Sequence, residues 1–216
     1  MSNKKTYAVL GLGRYGKAVA KELALNGADV IGVDIDESAV EEAAAYLPIC
    51  KCADASDPEV MAALGIKNAD VVVIAMAGKF EASIMIAMLC KDSGVKTVIA
   101  KCKNEKHAEI LEKIGVDKTV FPEKESGIRL AKNMLSSGFI DMAELAEGIS
   151  VVELNIRQEW KDKSLKELKL REKYGINVIA VIKGGEVNTL VDPSMPISSF
   201  DKLIVIAETE KLGKLK

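Results

Sequence analysis

A glycine-rich segment near the amino terminus has the residue types and spacing that bind a phosphate group. Gly11, Gly13 and Gly16 form the pattern G-x-G-x-x-G, after an apolar run at 6–10 and before a helix-compatible segment at 18–25. The first glycine permits the turn, the second leaves the backbone open to a phosphate, and the third lets helix and strand pack closely. Backbone N–H groups and the helix dipole then favour an anion. The pattern predicts a pyrophosphate-binding loop.

Three aspartates follow this loop at the ends of predicted strands or the starts of predicted helices. Asp34 lies about 20 residues after Gly13, where a carboxylate can accept hydrogen bonds from both hydroxyls of a ribose. A carboxylate there repels a 2′-phosphate, which disfavours NADP. Asp36 precedes Glu37-Ser38 and is expected to cap a helix. Asp54 follows the third predicted strand, where it could face the adenine or serve in a turn or cap; the sequence leaves both alternatives open.

Arg14 places a permanent positive charge inside the predicted phosphate loop. An ordinary dinucleotide already has its charge met there by N–H groups and the helix dipole, so a guanidinium suits a ligand with extra phosphate charge. The alternative is an arginine that lies outward over the first helical turn. Both NAD(H) and ATP/ADP present a ribose and a pyrophosphate, so the loop alone does not choose between them.

The residues that a dehydrogenase would need beside its cofactor are not evident. Catalysis of hydride transfer usually requires a substrate domain and a general acid or base. The single histidine, His107, stands among charged residues at a predicted helix start, and we expect it to be a solvated surface side chain. The sequence therefore predicts nucleotide binding without turnover, and the alternative is a small NAD(H)-dependent oxidoreductase whose substrate site is not recognisable.

The elements that must position this loop alternate between β-branched runs and amphipathic segments, which indicates a parallel sheet covered on both faces. The predicted strands are residues 6–10, 29–33, 49–52, 71–76, 97–102 and 118–121. The predicted helices are residues 18–25, 37–46, 58–64, 80–91 and 105–114, with caps at Asp57 and Asn104. The fold class is α/β, a Rossmann-like doubly wound parallel sheet with a small carboxyl-terminal α+β domain.

The regular alternation of predicted strands and helices ends near Gly148, which predicts two domains, residues 1–147 and 148–216. Segments 126–137 and 141–146 have helix-compatible composition before this boundary. After it the sequence predicts a strand at 151–156, a helix at 165–174 and strands at 177–182, 187–190 and 202–207. Ser164 and Glu167 form a capping-box pattern, and Gly184-Gly185 predicts a hairpin turn.

Composition excludes several classes of protein. The 216 residues carry 30 Lys and Arg against 32 Asp and Glu, so there is no overall basic field for nucleic acid. Apolar stretches fall short of the roughly 20 residues that span a bilayer. The start has no signal-peptide pattern, so we expect a cytoplasmic protein without direct membrane insertion. Cys50, Cys52, Cys90 and Cys102 lack the paired spacing of a zinc site, and we expect buried, reduced thiols.

Six segments together resemble the RCK (KTN) regulatory subunits of the TrkA/KtrA family, which control potassium channels and transporters. The resemblance covers nearly the whole chain, and one copy of each domain is similar to the KtrA/KtrC type rather than to the duplicated TrkA type. It rests on residues 9–16, Val33-Asp34, Ala53-Asp54-Ala55, residues 112–117, Phe121-Pro122-Glu123-Lys124 and residues 170–175.

The resemblance implies an amino-terminal Rossmann-like RCK_N domain, a smaller RCK_C (TrkA_C-like) domain and no catalytic role. It implies a homo-oligomer in which dimers assemble into an octameric ring. The ring would dock on the inner face of the cell membrane through a potassium channel or transporter subunit of the KtrB/TrkH type.

The resemblance also implies roles for single residues of the loop and its surroundings. Arg14 and Glu123 match positions that sense ATP and ADP, with Arg14 on the terminal phosphate and Tyr15 in the same loop motif. Glu123 would reach across a dimer interface toward the phosphates, with a divalent cation such as Mg²⁺ as a further element. Lys101, at the carboxyl end of a strand, is another phosphate candidate, and the alternative for it is an exposed strand-end lysine.

In the second domain, the resemblance implies a site for cyclic di-AMP at a dimer interface. Arg171 stands at the position of a ligand-binding arginine, with Ile176 and Pro193 as its apolar neighbours. The alternative for Arg171 is a side chain that lies along its own helix with its charge in water.

Overall fold

The amino-terminal half of the chain forms the alternating strands and helices that its hydrophobic pattern predicts. The computed structural model describes residues 4–135, 139–146 and 148–212. Its first six strands are β1 (Thr6–Leu10), β2 (Asp29–Asp34), β3 (Ile49–Cys52), β4 (Val71–Ile74), β5 (Thr97–Lys101) and β6 (Lys118–Val120). The helices between and after them are α1 (Arg14–Leu25), α2 (Glu37–Ala44), α3 (Pro58–Ala63), α4 (Phe80–Asp92), α5 (Glu105–Ile114) and α6 (Pro122–Leu135).

The six strands make one parallel sheet in the order β3-β2-β1-β4-β5-β6, which confirms the predicted doubly wound architecture. β1 is central, with Leu10 paired to Val33 of β2 and to Ile74 of β4. Alternate residues of β1 enter cores on opposite faces, Leu10 on one and Val9 on the other. The strand order reverses at β1, and a crevice is expected beyond the carboxyl ends of the strands at that point.

Side-chain caps fix the starts of three helices as the sequence predicts. Asp36, Asp57 and Asn104 accept hydrogen bonds from backbone N–H groups in the first turns of α2, α3 and α5. Each cap satisfies a donor that the helix itself leaves without a partner.

The second half of the chain contains a five-stranded antiparallel sheet in the order β10-β9-β11-β8-β7. Its strands are β7 (Phe139–Ala146), β8 (Ile149–Asn155), β9 (Asn177–Lys183), β10 (Glu186–Asn188) and β11 (Lys202–Glu208), with short helices α7 (Leu165–Leu168), α8 (Leu170–Tyr174) and α9 (Thr209–Leu212). Trp160, Leu203 and Val205 lie in its core. By contact density the chain divides between Glu123 and Lys124, and the expected domain boundary at 147/148 stays a prediction.

Two elements of this second unit differ from the sequence prediction. The helix predicted at 141–146 is part of strand β7, because antiparallel pairing with β8 outweighs the local preference of its Ala, Glu, Leu and Met residues for a helix. The helix predicted at 165–174 is two short helices, α7 and α8. They are separated at Lys169, whose φ of 49° is left-handed. The capping box of Ser164 with Glu167 and the Gly184-Gly185 turn are as predicted.

The four cysteines are free thiols, as expected, but they are not all buried. Cys90 and Cys102 are buried, and burial raises the pKa of the Cys90 thiol to about 12. Cys52 is exposed, because it lies at the end of β3, the edge strand of the sheet. Within the described parts of the chain, no helix is long and apolar enough to cross a membrane.

Candidate functional site

A cleft of about 280 Å³ opens at the carboxyl ends of β1 to β4, where the strand order reverses. Of the site residues predicted from the sequence, Gly11, Gly13, Asp34 and Asp54 line it. The remaining lining residues are Val33, Ile35, Ala53, Ala55, Ala75, Met76, Gly78, Lys79 and Ala82. The cleft is therefore built from the loops that follow four neighbouring strands.

The three glycines of the loop have different structural reasons to be glycine. Gly11 has a φ of 99°, which L side chains rarely adopt, and its N–H donates to the Val33 carbonyl at 2.8 Å. A Cβ at Gly16 would lie 1.8 Å from the Gly11 carbonyl oxygen, so α1 and the loop touch there. A Cβ at Gly13 would meet nothing within 4 Å. The open space at Gly13 is what a phosphate needs to reach backbone N–H groups.

Asp34 joins the end of β2 to the glycine loop. Its Oδ2 accepts a hydrogen bond from the Leu12 N–H at 2.5 Å, and its Oδ1 accepts one from the Asp36 N–H at 2.9 Å. A carboxylate has about four acceptor positions, so two remain for the hydroxyls of a ribose. The carboxylate is thus held in place before any ligand arrives.

Asp54 makes the turn that the sequence left open as one of its two roles, and its facing an adenine stays a prediction. Its Oδ1 accepts from the N–H of Ser56 at 2.9 Å and from its hydroxyl at 2.7 Å, which makes a turn after β3, and its side chain also lines the cleft. The hydroxyl hydrogen bond is the largest cause that holds the pKa of Asp54 below its usual range, and the Lys79 ammonium adds to it. The carboxylate is therefore charged at neutral pH.

A cluster of Arg14, Tyr15, Lys101 and Glu123 lies outside the lining of the cleft, next to the loop. The Lys101 ammonium donates to Glu123 Oε1 at 2.5 Å and lies 5.6 Å from the centre of the Tyr15 ring. The Lys101 hydrogen bond is the main cause of a lowered pKa at Glu123, and the Arg14 guanidinium contributes a smaller part. The Lys101 side chain is 16% exposed, so the alternative of an exposed strand-end lysine is wrong.

Sequence reasoning missed the side of the cleft that follows β4. Met76, Gly78, Lys79 and Ala82 lie there because β4 is the neighbour of β1 in the sheet. The segment Ala77-Gly78-Lys79, between a predicted strand and a predicted helix, was the sequence feature that could have indicated this side of the cleft. Met76 and Ile35 supply apolar surface suited to a base, and α4 begins at this wall with no side-chain cap.

His107 is buried, which corrects the expectation of a solvated side chain. Its side chain is 1% exposed and lies between α5 and α4, where Ser83 and the Phe80 ring contact it. The charged neighbours Glu105 and Lys106 are exposed, while His107 shares the buried face of α5 with Ala108 and Leu111. Because most residues of the segment are charged, its sequence did not indicate a buried face that includes His107.

In the second unit, the three residues predicted for cyclic di-AMP line one cleft of about 580 Å³. Ile176 is buried, while Arg171 and Pro193 are exposed. Lys166 and Lys169 line the same cleft and add positive charge to it.

Within the described residues, no group of three or more His, Cys, Asp or Glu side chains is placed to hold a metal ion. The divalent cation predicted beside Glu123 stays a prediction.

Comparison with known families covers both halves of the chain. The TrkA-N domain model matches residues 7–122, and the TrkA-C domain model matches residues 149–216. The chain belongs to the TrkA/KtrA family of RCK-domain proteins. The family prediction made from its motifs is confirmed.

Relatives of this RCK protein match it over almost their full length. Ktr system potassium uptake protein C of Bacillus subtilis (strain 168) is 36% identical over 213 residues, which is 99% of this chain and 96% of the relative. Ktr system potassium uptake protein A of Vibrio alginolyticus is 35% identical over 98% of this chain and 97% of its own. These names are those of potassium uptake proteins and not of enzymes, which agrees with the prediction of a protein without catalysis and does not support the oxidoreductase alternative.

Solved structures confirm the fold of this RCK protein. The GsuK channel matches with a TM-score of 0.69 at 15% identity, over 99% of this chain and 39% of that one. The GsuK channel bound to NAD matches with a TM-score of 0.64 at 14% identity, again over 99% of this chain and 39% of that one. This chain therefore shares its fold, a Rossmann-like sheet followed by a smaller domain, with the matched part of that channel.

Proposed function

We propose that this protein is a nucleotide-sensing regulatory subunit of a potassium uptake system. An adenine nucleotide binds in the cleft beyond β1 to β4. A homo-oligomer, with dimers assembling into an octameric ring, transmits the ligand state to a membrane subunit of the KtrB/TrkH type at the cytoplasmic face. The observation that carries the proposal is the hydrogen bond from the Leu12 N–H to Asp34, which joins the phosphate loop to the ribose acceptor. The Ktr relatives and the NAD-bound GsuK structure support it.

The cleft matches the parts of an adenine nucleotide in order. The backbone at Gly13 is open to a phosphate, Asp34 offers two free acceptor positions to a ribose, and Ile35 and Met76 offer apolar surface to a base. NAD(H) and ATP/ADP share these parts, so the cleft itself accepts either.

The cluster beside the loop favours a ligand with a terminal phosphate. Arg14 directly follows Gly13, and Lys101 lies 5.6 Å from the centre of the Tyr15 ring and is paired with Glu123. A further phosphate would compete with Glu123 for Lys101, and a divalent cation such as Mg²⁺ between Glu123 and the phosphate would relieve the resulting repulsion. The contacts of this phosphate distinguish ATP from ADP, which is the difference that a sensor must convert into two populations of conformers.

The test is titration of the full chain with ATP, ADP and NAD⁺ by calorimetry, with light scattering to measure the assembly. We expect at least one nucleotide to bind and to change the size, shape or thermal stability of a symmetric oligomer. A chain that binds none of the three, or that remains a monomer throughout, would contradict the proposal.

Arg14→Ala is expected to remove most of the preference for ATP. Because its guanidinium meets the terminal phosphate in our proposal, the ATP affinity should fall at least about 10-fold, while ADP affinity stays within about 3-fold. Calorimetry with both nucleotides measures this. Lys17→Ala is the matched control, since Lys17 is a cation of the same helix that pairs with Glu42 instead. Equal ATP and ADP affinities in the unaltered protein would remove the basis of this prediction.

We also propose that cyclic di-AMP binds in the cleft of the second unit. Arg171, Ile176 and Pro193 line this one cleft, with Lys166 and Lys169 adding positive charge for its phosphates. Arg171→Ala should weaken binding at least about 10-fold in a calorimetric titration. Lys173→Ala, a cation of the same short helix that is not among the lining residues, should leave the affinity unchanged. If cyclic di-AMP gives neither heat nor a thermal shift with the unaltered protein, this second ligand is excluded.

A further inference from the structure

His107 connects the start of α5 to the first turn of α4 in the interior of the amino-terminal unit. Its Nε2 lies 2.8 Å from the Ser83 hydroxyl, and its ring meets the Phe80 ring edge-on, with 4.9 Å between centroids. The backbone N–H of His107 donates to Oδ1 of the cap residue Asn104. The imidazole therefore contacts two helix starts at once.

The hydrogen bonds around the imidazole define one neutral tautomer. The backbone N–H of Lys103 donates to Nδ1 over 3.4 Å, so the neutral ring carries its proton on Nε2. Nε2 then donates to the Ser83 hydroxyl, which lies 2.7 Å from the Phe80 carbonyl and can donate to it. Each ring nitrogen thus has a partner that suits the neutral form.

Protonation of this ring would break the arrangement. A proton on Nδ1 would face the Lys103 N–H, and the cation would lie beside the amino-terminal ends of two helices, where positive charge is unfavourable. Ser83 and Phe80 face the ring from α4. The charged side chains nearest in sequence, on α4 and around the start of α5, are exposed: Lys79, Glu81, Lys103, Glu105 and Lys106. On the strands beneath, Lys101 is paired with Glu123 and Lys118 is exposed. Burial lowers the pKa of His107.

The turn that His107 contacts forms one wall of the nucleotide cleft. Gly78, Lys79 and Ala82 line the cleft, and Phe80 and Ser83 lie within the same turn of chain. Lys79, at the start of α4, makes no side-chain cap, and the His107 ring contacts this turn through Ser83. A displacement of this turn would move the wall.

We propose that His107 is a positioning residue of the nucleotide site: its neutral ring holds the first turn of α4 where that turn completes the cleft. This inference rests on the proposed binding of an adenine nucleotide. It predicts a reciprocal coupling, in which protonation of His107 weakens nucleotide binding and the bound nucleotide disfavours protonation.

The coupling can be measured directly, because the chain has a single histidine and hence one set of imidazole signals by NMR. The pKa of His107 is determined in the full chain, without ligand and saturated with ADP or NAD⁺. A fivefold coupling would lower this pKa by about 0.7 on nucleotide binding. The negative charge of the nucleotide by itself would raise the pKa, so a fall reports the positioning of the turn.

Variants separate positioning from general stability. His107→Ala should weaken binding about fivefold at neutral pH. His107→Gln, which can still donate to Ser83 and does not titrate, should recover most of the affinity and remove its dependence on acidic pH. Leu111→Ala is the control, since Leu111 is a buried residue of the same helix outside the Ser83 contact. It should lower the melting temperature and leave the affinity unchanged at temperatures where it is folded.

Three results would overturn this inference: a His107 pKa that does not fall on nucleotide binding, a His107→Ala affinity within about twofold of the unaltered protein, or an equal loss in folded Leu111→Ala. If neither ADP nor NAD⁺ binds the unaltered protein, the proposed nucleotide site fails as well. If a nucleotide binds and any of the three results is found, only the role of His107 fails.

Discussion

Gly16→Ala is expected to destabilise the amino-terminal unit strongly. The added Cβ would lie 1.8 Å from the Gly11 carbonyl oxygen, and neither atom can move without shifting the backbone of β1 or α1. Overpacking against a rigid backbone costs at least about 3 kcal/mol, which is a large part of the stability of a typical domain. Thermal unfolding followed by circular dichroism measures the loss.

Gly13→Ala is the matched variant in the same loop. Gly13 has a φ of −67°, an ordinary value for alanine, and its Cβ would meet nothing within 4 Å. The melting temperature should therefore stay within a few degrees, while nucleotide affinity falls at least about 10-fold because a methyl group occupies the approach of the phosphate. A Gly16→Ala protein with an unaltered melting temperature, or a Gly13→Ala protein with unaltered affinity, would contradict the geometry of the loop.

Asp34→Ala is expected to weaken nucleotide binding by about 10- to 100-fold. Hydrogen bonds to a charged group contribute about 1.5–3 kcal/mol, and the ribose would lose its carboxylate acceptor. The variant also removes the acceptor of the Leu12 N–H, so the phosphate loop loses part of its support. Calorimetry with the nucleotide that binds the unaltered protein measures the change.

Asp36→Ala separates this effect from a loss of local structure. Asp36 caps α2 through the Ser38 N–H and is not among the residues that line the cleft. Its removal should cost about 1 kcal/mol of stability and leave nucleotide affinity almost unchanged. If both variants weaken binding equally, Asp34 acts through the fold of its loop and not through the ribose.

The parts of the fold and site that were predictable depend on short-range chemistry. The loop glycines, the carboxylate at Asp34 and the caps at Asp36, Asp57 and Asn104 each follow from residue type and spacing, because a turn, a ribose acceptor or a helix start needs few residues. The alternating pattern predicted six strands in a doubly wound parallel sheet, and the structure has this sheet.

The parts that were not predictable depend on partners distant in sequence. Residues 141–146 form a strand because β8 lies beside them, although their composition suits a helix. His107 is buried because α4 packs on α5, which no local pattern of charges reveals. The Met76–Ala82 wall of the cleft joins the site because β4 is next to β1 in the sheet.

The sequence by itself determined that this protein has a glycine-rich loop after β1 and an aspartate at the end of β2, two kinds of domain and the motifs of its family, since these depend on residue types at fixed spacing. The tertiary structure alone decided which side chains meet: Lys101 with Glu123, and His107 with Ser83. Such pairs form between segments whose distance along the chain carries no information about their distance in space. These meetings also set charge states: the Lys101 hydrogen bond lowers the pKa of Glu123, and burial lowers the pKa of His107.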